Sequence, residues 1–163
     1  MPSVYVETTI PSYLTARPSR DLIIAAHQQI THEWWATAAD RFDLYVSPIV
    51  LEEIRNGDRK FAARRMRVVA DLSVLAFTND VESLVGVYGS RLGLVGSAAA
   101  DVPHFAYAVA YNIDYLVTWN CAHIANGQVI RKLALLNNEL NRTTPVIVTP
   151  EELLDFPPED GEL

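Results

Sequence analysis

Four residues offer oxygen ligands at comparable places along the chain: Glu7, Glu53, Asp101 and Asn120. Glu7 directly follows the apolar run Val4-Tyr5-Val6, and Glu53 sits on a short helix just after Leu44-Tyr45-Val46. Asp101 lies near the start of an apolar helix, and Asn120 closes Thr118-Trp119-Asn120 behind Leu116-Val117. Three carboxylates and an amide in one cleft repel each other unless a cation lies between them. Oxygen-only ligands select a hard divalent ion, Mg²⁺ or Mn²⁺, over zinc. Such an ion activates water and neutralises phosphoryl charge, the logic of phosphodiester hydrolysis. Six of the 13 basic side chains fall between Arg55 and Arg67, and Arg55, Arg59 and Lys60 follow Glu53 closely enough to hold a phosphate backbone beside it.

These residues converge only if the elements before them do. Val4–Val6, Leu44–Val46, Ser73–Phe77, Asp114–Thr118 and Pro145–Val148 read as strands, brief and apolar rather than alternating. Between them the spacing predicts helices over 21–39, 49–55, 59–71, 79–91, 98–111 and 127–141, with a final turn at Pro150-Glu151-Glu152. Strands alternating with helices imply an α/β fold with a mostly parallel sheet covered on both faces. In such a sheet ligands bind outside the carboxyl ends of the strands, where strand order reverses. That rule gathers Glu7, Glu53, Asp101 and Asn120 at one edge, and sends Asp114, which starts its strand, to the other.

The chain's 163 residues fit one domain, expected over 1–154, with an acidic and disordered tail over 155–163. Half the residues are apolar, yet no run approaches the roughly 18 of a membrane span. Met1-Pro2-Ser3 has no basic start and Glu7 interrupts any apolar build-up, so neither a leader nor a membrane is expected, and the location expected is cytoplasmic. The net charge of −7 argues against a nucleic-acid partner only at first sight. Residues 151–163 carry six carboxylates and no cation, and the rest is close to balanced. The single cysteine, Cys121, excludes an intramolecular disulfide and has no paired base that would make it a nucleophile.

Together the motifs resemble the PIN-domain family. Val4-Tyr5-Val6-Glu7-Thr8-Thr9 resembles its opening strand and acidic-Thr signature, and Ser47-Pro48-Ile49-Val50-Leu51-Glu52-Glu53-Ile54 its second motif, with the acid on Glu53. Asp101-Val102-Pro103-His104-Phe105-Ala106 resembles the third motif and Leu116-Val117-Thr118-Trp119-Asn120 the fourth, so the likeness spans about residues 3–150. The resemblance implies a three-layer α/β/α sandwich and a Mg²⁺- or Mn²⁺-dependent ribonuclease that is usually a homodimer. Small bacterial members are commonly VapC-type toxins blocked by a cognate antitoxin. Glu7 and Asp101 would then be the principal metal ligands, Glu53 would support the metal or its water, and Asn120 would complete the quartet. The chain departs from the family at two places: Glu7 stands where Asp is usual, and Asn120 brings no charge.

Thr8 and Thr118 are expected to orient the acidic residues through their hydroxyls. His104 and His123 do not form a metal pair by spacing and read as hydrogen-bonded packing residues. His27 and His32 share a helix with Trp34 and Trp35, which reads as core or as an interface for a second copy or an antitoxin. Two functions stay open: a metal-dependent endoribonuclease, and a catalytically silent module of the same fold that holds RNA or a protein. An aspartyl-phosphate phosphohydrolase is disfavoured, because Glu7-Thr8-Thr9 lacks the two aspartates one residue apart that its first strand needs.

Overall fold

The structure, a computed structural model, describes residues 1–155. The acidic tail expected at the end of the chain falls, beyond Asp155, outside the described residues. Five strands, β1 (Ser3–Val6), β2 (Asp43–Val46), β3 (Ser73–Val74), β4 (Tyr115–Val117) and β5 (Val146–Val148), form one sheet in the order β3-β2-β1-β4-β5. Every pairing is parallel. The helices are α1 (Thr9–Thr15), α2 (Leu22–Arg41), α3 (Pro48–Arg55), α4 (Arg59–Val69), α5 (Asn79–Arg91), α6 (Val102–Ala110), α7 (Gly127–Glu139) and α8 (Pro150–Leu153). A 3₁₀ turn over Gly96–Asp101 leads into α6.

Right-handed crossovers place helices on opposite faces when the chain moves in opposite directions along the sheet. From β1 through β2 to β3 the chain moves one way, so α1–α4 cover one face, where α1 packs on α2 and α4. From β3 back across to β4 and β5 it moves the other way, so α5–α7 cover the second face, with α6 packed on α5. The result is the expected three-layer α/β/α sandwich, its core formed by Val4, Tyr5, Val6, Val46, Leu116 and Val117 beneath Trp34, Phe105 and Leu133.

Two local departures from the sequence reading have physical causes. The sequence predicts no helix before residue 21, yet Thr9–Thr15 forms α1, with Pro11 in its first turn, where a helix needs no N–H donor. The third strand pairs only at Ser73 and Val74 rather than to Phe77. As an edge strand it has one neighbour, and Phe77 is exposed. Caps close most other helix starts: Asp21, Ser47, Asp58, Thr78 and Asn126 each accept a backbone N–H of the first turn. At the amino edge Asp114 accepts both the N–H and the hydroxyl of Ser3, clamping β4 to β1 far from the other acids, as its position predicts.

Candidate metal centre at the carboxyl edge

Strand β1 is the central strand, and the chain leaves it toward β2 while β4 lies on its other side. The carboxyl ends of β1 and β4 therefore flank the point where strand order reverses, the usual ligand position of an open α/β sheet. Pairing runs one residue past β1, since the Glu7 N–H donates to the Val117 carbonyl at 3.2 Å. The Glu7 side chain is thus carried in on the tip of a buried strand, with only 3% of the residue exposed. A carboxylate so placed needs donors. Its Oε2 accepts three: the Thr9 hydroxyl at 2.5 Å, the Thr9 N–H at 3.0 Å and the Thr118 hydroxyl at 2.8 Å.

Those hydroxyls are fixed in turn. Thr9 Oγ1 accepts the Trp119 N–H at 2.9 Å and Thr118 Oγ1 accepts the Asn120 N–H at 2.9 Å. Thr118 orients Glu7 as expected, but the other threonine is Thr9 and not Thr8. The backbone at Thr8 has already turned into the helical region (φ −58°, ψ −27°). Thr9 thereby comes under the carboxylate, while the Thr8 hydroxyl is buried with no hydrogen-bond partner among the described residues. The second oxygen, Glu7 Oε1, takes no hydrogen bond from any described residue.

The other two groups beside Glu7 arrive from opposite faces of the sheet. Ser47 caps α3 directly behind β2, and the helix brings Glu53 to the same edge with 41% of its side chain exposed. From the second face α6 brings His104, fully buried, one turn beyond Asp101. His104 Nε2 lies 2.5 Å from Glu53 Oε1. That contact is an ion pair when the ring is protonated; by hydrogen-bond geometry the buried Nε2 has no partner among the described residues. The opposite ring nitrogen, Nδ1, is 2.7 Å from the Tyr5 hydroxyl, itself 2.7 Å from Ser47 Oγ. Tyr5 precedes Glu7 by two and so shares its face of β1. One ligand atom each from Glu7, Glu53 and His104 lies within 4.8 Å of the other two.

Asp101 stands outside that trio. Its Oδ2 accepts from Asn120 Nδ2 at 3.2 Å and is 3.4 Å from His123 Nδ1. Asn120 Oδ1 accepts the His123 N–H at 3.0 Å. Asn120 therefore ties the loop after β4 to Asp101, and its carbonyl oxygen, expected to complete a ligand quartet, is occupied by the backbone. Electrostatics link the two halves. Burial pushes the Asp101 carboxyl above its usual range, and the charge of Glu7 adds to it against His104, His123 and Asn120. For His104, burial alone would lower the pKa, but Glu53, Glu7 and Asp101 together raise it above that of a free histidine. The Tyr5 phenol is raised by burial and by Glu7 and Glu53. Burial is the largest cause for Asp101 and Tyr5, but the charge of Glu7 adds to all three shifts, and negative charge gathered in this way suits a divalent cation.

The residues around the centre divide cleanly. Trp119 stacks on His27 (centroids 4.0 Å apart, planes 12° from parallel) and on Tyr13, and its Nε1 donates to Thr31 at 2.7 Å. His27 is thus packing that holds the β4 loop against α2; Trp34 is core, and His32 is exposed. Arg55, Arg59 and Lys60 are exposed on α3 and α4. Arg65, which the sequence did not single out from its neighbours, lines a cleft of about 500 Å³ between α1 and α4 with Arg17, Phe61, Ser12, Thr15 and Ala16. Reading the sequence also missed Tyr5, Ser47 and Thr9, and took His104 as packing alone. The signal for His104 was its spacing of three from Asp101, which puts both on one face of α6.

No protein-family model matches the chain, and no curated protein matches it in sequence. Among solved structures, the chain is similar to a chain in the crystal structure of VapBC2 from Rickettsia felis bound to a DNA fragment from their promoter. The TM-score is 0.58 and the sequence identity 14%, covering 90% of this chain and 97% of that one. The likeness is one of fold, and it matches the PIN-like sandwich that the four motifs imply.

Proposed function

We propose that the protein is a metal-dependent endoribonuclease, hydrolysing RNA phosphodiester bonds at the carboxyl edge of β1 and β4. The observation that carries this reading is the convergence of Glu7, Glu53 and His104 at the topological switch, with Asp101 one turn before His104. The free Glu7 Oε1 and the buried Nε2 of His104 fit a divalent cation. When bound, Mg²⁺ or Mn²⁺ would activate water and neutralise charge on the scissile phosphate. Thr9 and Thr118 hold Glu7 in one orientation toward the ion, and Asn120 and His123 fix Asp101 beside the trio. Arg55, Arg59 and Lys60 hold the RNA backbone on the exposed side of α3 and α4. The products carry 3′-hydroxyl and 5′-phosphate ends.

The fold shared with a VapBC2 chain supports a further reading, that this is the toxin of a toxin–antitoxin pair. It would act on cytoplasmic RNA as a homodimer and be silenced by an antitoxin. A second reading, a silent PIN-like module that binds RNA or protein, is favoured by one observation: Asn120 is committed to Asp101 and His123 and brings no charge.

Incubation of the purified protein with single-stranded and structured RNA in Mg²⁺ or Mn²⁺ separates the two. Cleavage abolished by EDTA and by Asp101→Asn establishes the nuclease. RNA binding without cleavage in either metal establishes the module.

A further inference from the structure

We infer that His104 is a direct ligand of the ion, and that the centre accordingly prefers a borderline transition ion such as Co²⁺ or Zn²⁺ to Mg²⁺. This rests on the metal-centre reading above and changes its chemistry, from an oxygen-only set to one that includes an imidazole.

The first ground is the polar accounting of the interior. Buried ring nitrogens almost always have a partner, and His104 is fully buried with Nδ1 satisfied and Nε2 not. The unsatisfied atom is the one facing Glu7 and Glu53. Glu53 Oε1 is 2.5 Å away, an ion-pair contact when the ring is protonated. A lone pair on Nε2, by contrast, needs no acceptor and gains a bond from a cation shared with those carboxylates.

The second ground is what stands behind the ring. Metal-bound histidines typically use their other N–H to fix the tautomer and ring orientation. Here the chain Nδ1, Tyr5 hydroxyl, Ser47 Oγ can run in two directions. If Ser47 donates to Tyr5 and Tyr5 to Nδ1, the proton sits on Nε2. If Nδ1–H donates to Tyr5 and Tyr5 donates to Ser47, the Nε2 lone pair faces the carboxylates. The second direction is the one that a cation between Nε2 and the carboxylates would select. Ser47 is the cap of α3, where its Oγ lies 3.5 Å from the Val50 N–H, so the same helix start that delivers Glu53 also anchors the ring.

The third ground is ligand preference. Imidazole suits zinc, copper, iron and nickel, whereas magnesium is served by carboxylate, carbonyl and water. Two carboxylates and one imidazole within 4.8 Å form a mixed set, for which affinity rises from Mn²⁺ through Co²⁺.

The test is calorimetric titration of the metal-free full chain with Mg²⁺, Mn²⁺, Co²⁺ and Zn²⁺, together with NMR of the chain carrying ¹⁵N-labelled histidine. We expect Co²⁺ and Zn²⁺ to bind at least tenfold more tightly than Mg²⁺. Zn²⁺ should shift Nε2 of His104 while Nδ1 stays protonated, resolved from His27, His32 and His123. His104→Gln, which keeps a hydrogen-bonding group toward Tyr5, should lose tenfold or more in Zn²⁺ affinity with Mg²⁺ affinity within twofold. Tyr5→Phe should weaken Zn²⁺ in the same direction by a smaller factor. The inference is overturned, with the metal centre intact, if an ion binds while Nε2 of His104 stays unmoved at saturation, or if His104→Gln weakens Mg²⁺ and Zn²⁺ equally. Binding of none of the four ions overturns the metal-centre reading together with this inference. The wild-type NMR result stands whether or not the variants fold.

Discussion

Two buried tyrosine networks, one joining α5 to α7 and one at the carboxyl edge, make opposite use of the same chemistry. On the far face the Tyr88 hydroxyl donates to Asn137 Oδ1 at 2.5 Å, and Asn137 Nδ2 donates to Thr144 at 2.9 Å. The Arg142 N–H closes on the Asn137 carbonyl at 2.8 Å, and the Arg142 guanidinium grips Asp80 through both carboxylate oxygens. Charge is balanced there and the polar groups are paired, so the network joins α5 and α7 and does nothing more. At the carboxyl edge Ser47, Tyr5 and His104 form a chain of the same length, but it ends on an unsatisfied nitrogen facing two carboxylates. A closed polar network specifies a fold; an open one, surrounded by excess charge of one sign, specifies a ligand.

That contrast can be broken most forcefully at its closed end. Asn137→Ala leaves the Tyr88 hydroxyl and Thr144 without partners and should cost about 3 kcal/mol in urea unfolding. Metal affinity measured on the same variant should not change. Next comes Thr9→Val, which removes a donor to Glu7 and an acceptor for Trp119; about 2 kcal/mol of stability should go with it. Thr8→Val deletes a hydroxyl that has no partner and should stay within about 0.5 kcal/mol of wild type, so an equal loss at the two positions would contradict the assignment. Glu7→Gln should do the reverse of a core mutation. With one charge fewer in a crowded cluster, metal-free stability should hold or rise by about 1 kcal/mol while metal affinity falls at least tenfold.

The smallest effect expected is the dependence of metal-free stability on pH. The folded pKa of His104 is raised, so its contribution is complete below the ordinary histidine value and is lost as pH rises through the folded one. Asp101 is raised as well, and its contribution has the same slope at lower pH, complete below the ordinary aspartate value. In EDTA, the margin of wild type over His104→Gln should therefore shrink as pH climbs from 6 to above 8. A margin that grew over that range would mean that His104 is held neutral.

Much of the centre was legible because strand ends announce themselves. Short apolar runs marked β1, β2 and β4, and the switch-point rule then gathered Glu7, Glu53, Asp101 and Asn120 at one edge and Asp114 at the other. The finer assignments were not legible, because they turn on which way one residue faces. Thr8 and Thr9 are indistinguishable in sequence, and the choice is made by where β1 turns into α1. Pro11 reads as a breaker until its place in a first turn is known. His104 was obscured by a search for a second histidine, when its partners are carboxylates on other elements and a tyrosine 99 residues away. The hydrogen bonds of the Asn120 side chain to Asp101 and to the turn at His123 depend on the fold of the loop after β4, which its residue type does not show.

The all-parallel order of the sheet also sets when this centre comes into being. Among the described residues no strand pairs with a neighbour through a hairpin, and β1 meets β4 only after more than 100 residues of intervening chain. Contacts so remote in sequence form late and slowly, since loop closure precedes any gain from pairing. Glu7 and the Thr118 that fixes it are 111 residues apart, and Asp101 and His104 are synthesised long after Glu7 and Glu53. A growing chain thus carries Glu7 and Glu53 through about 50 further residues of synthesis before Asp101 and His104 are added. The proposed metal site is among the last parts of the molecule to assemble, because it is complete only when the second half of the sheet has docked.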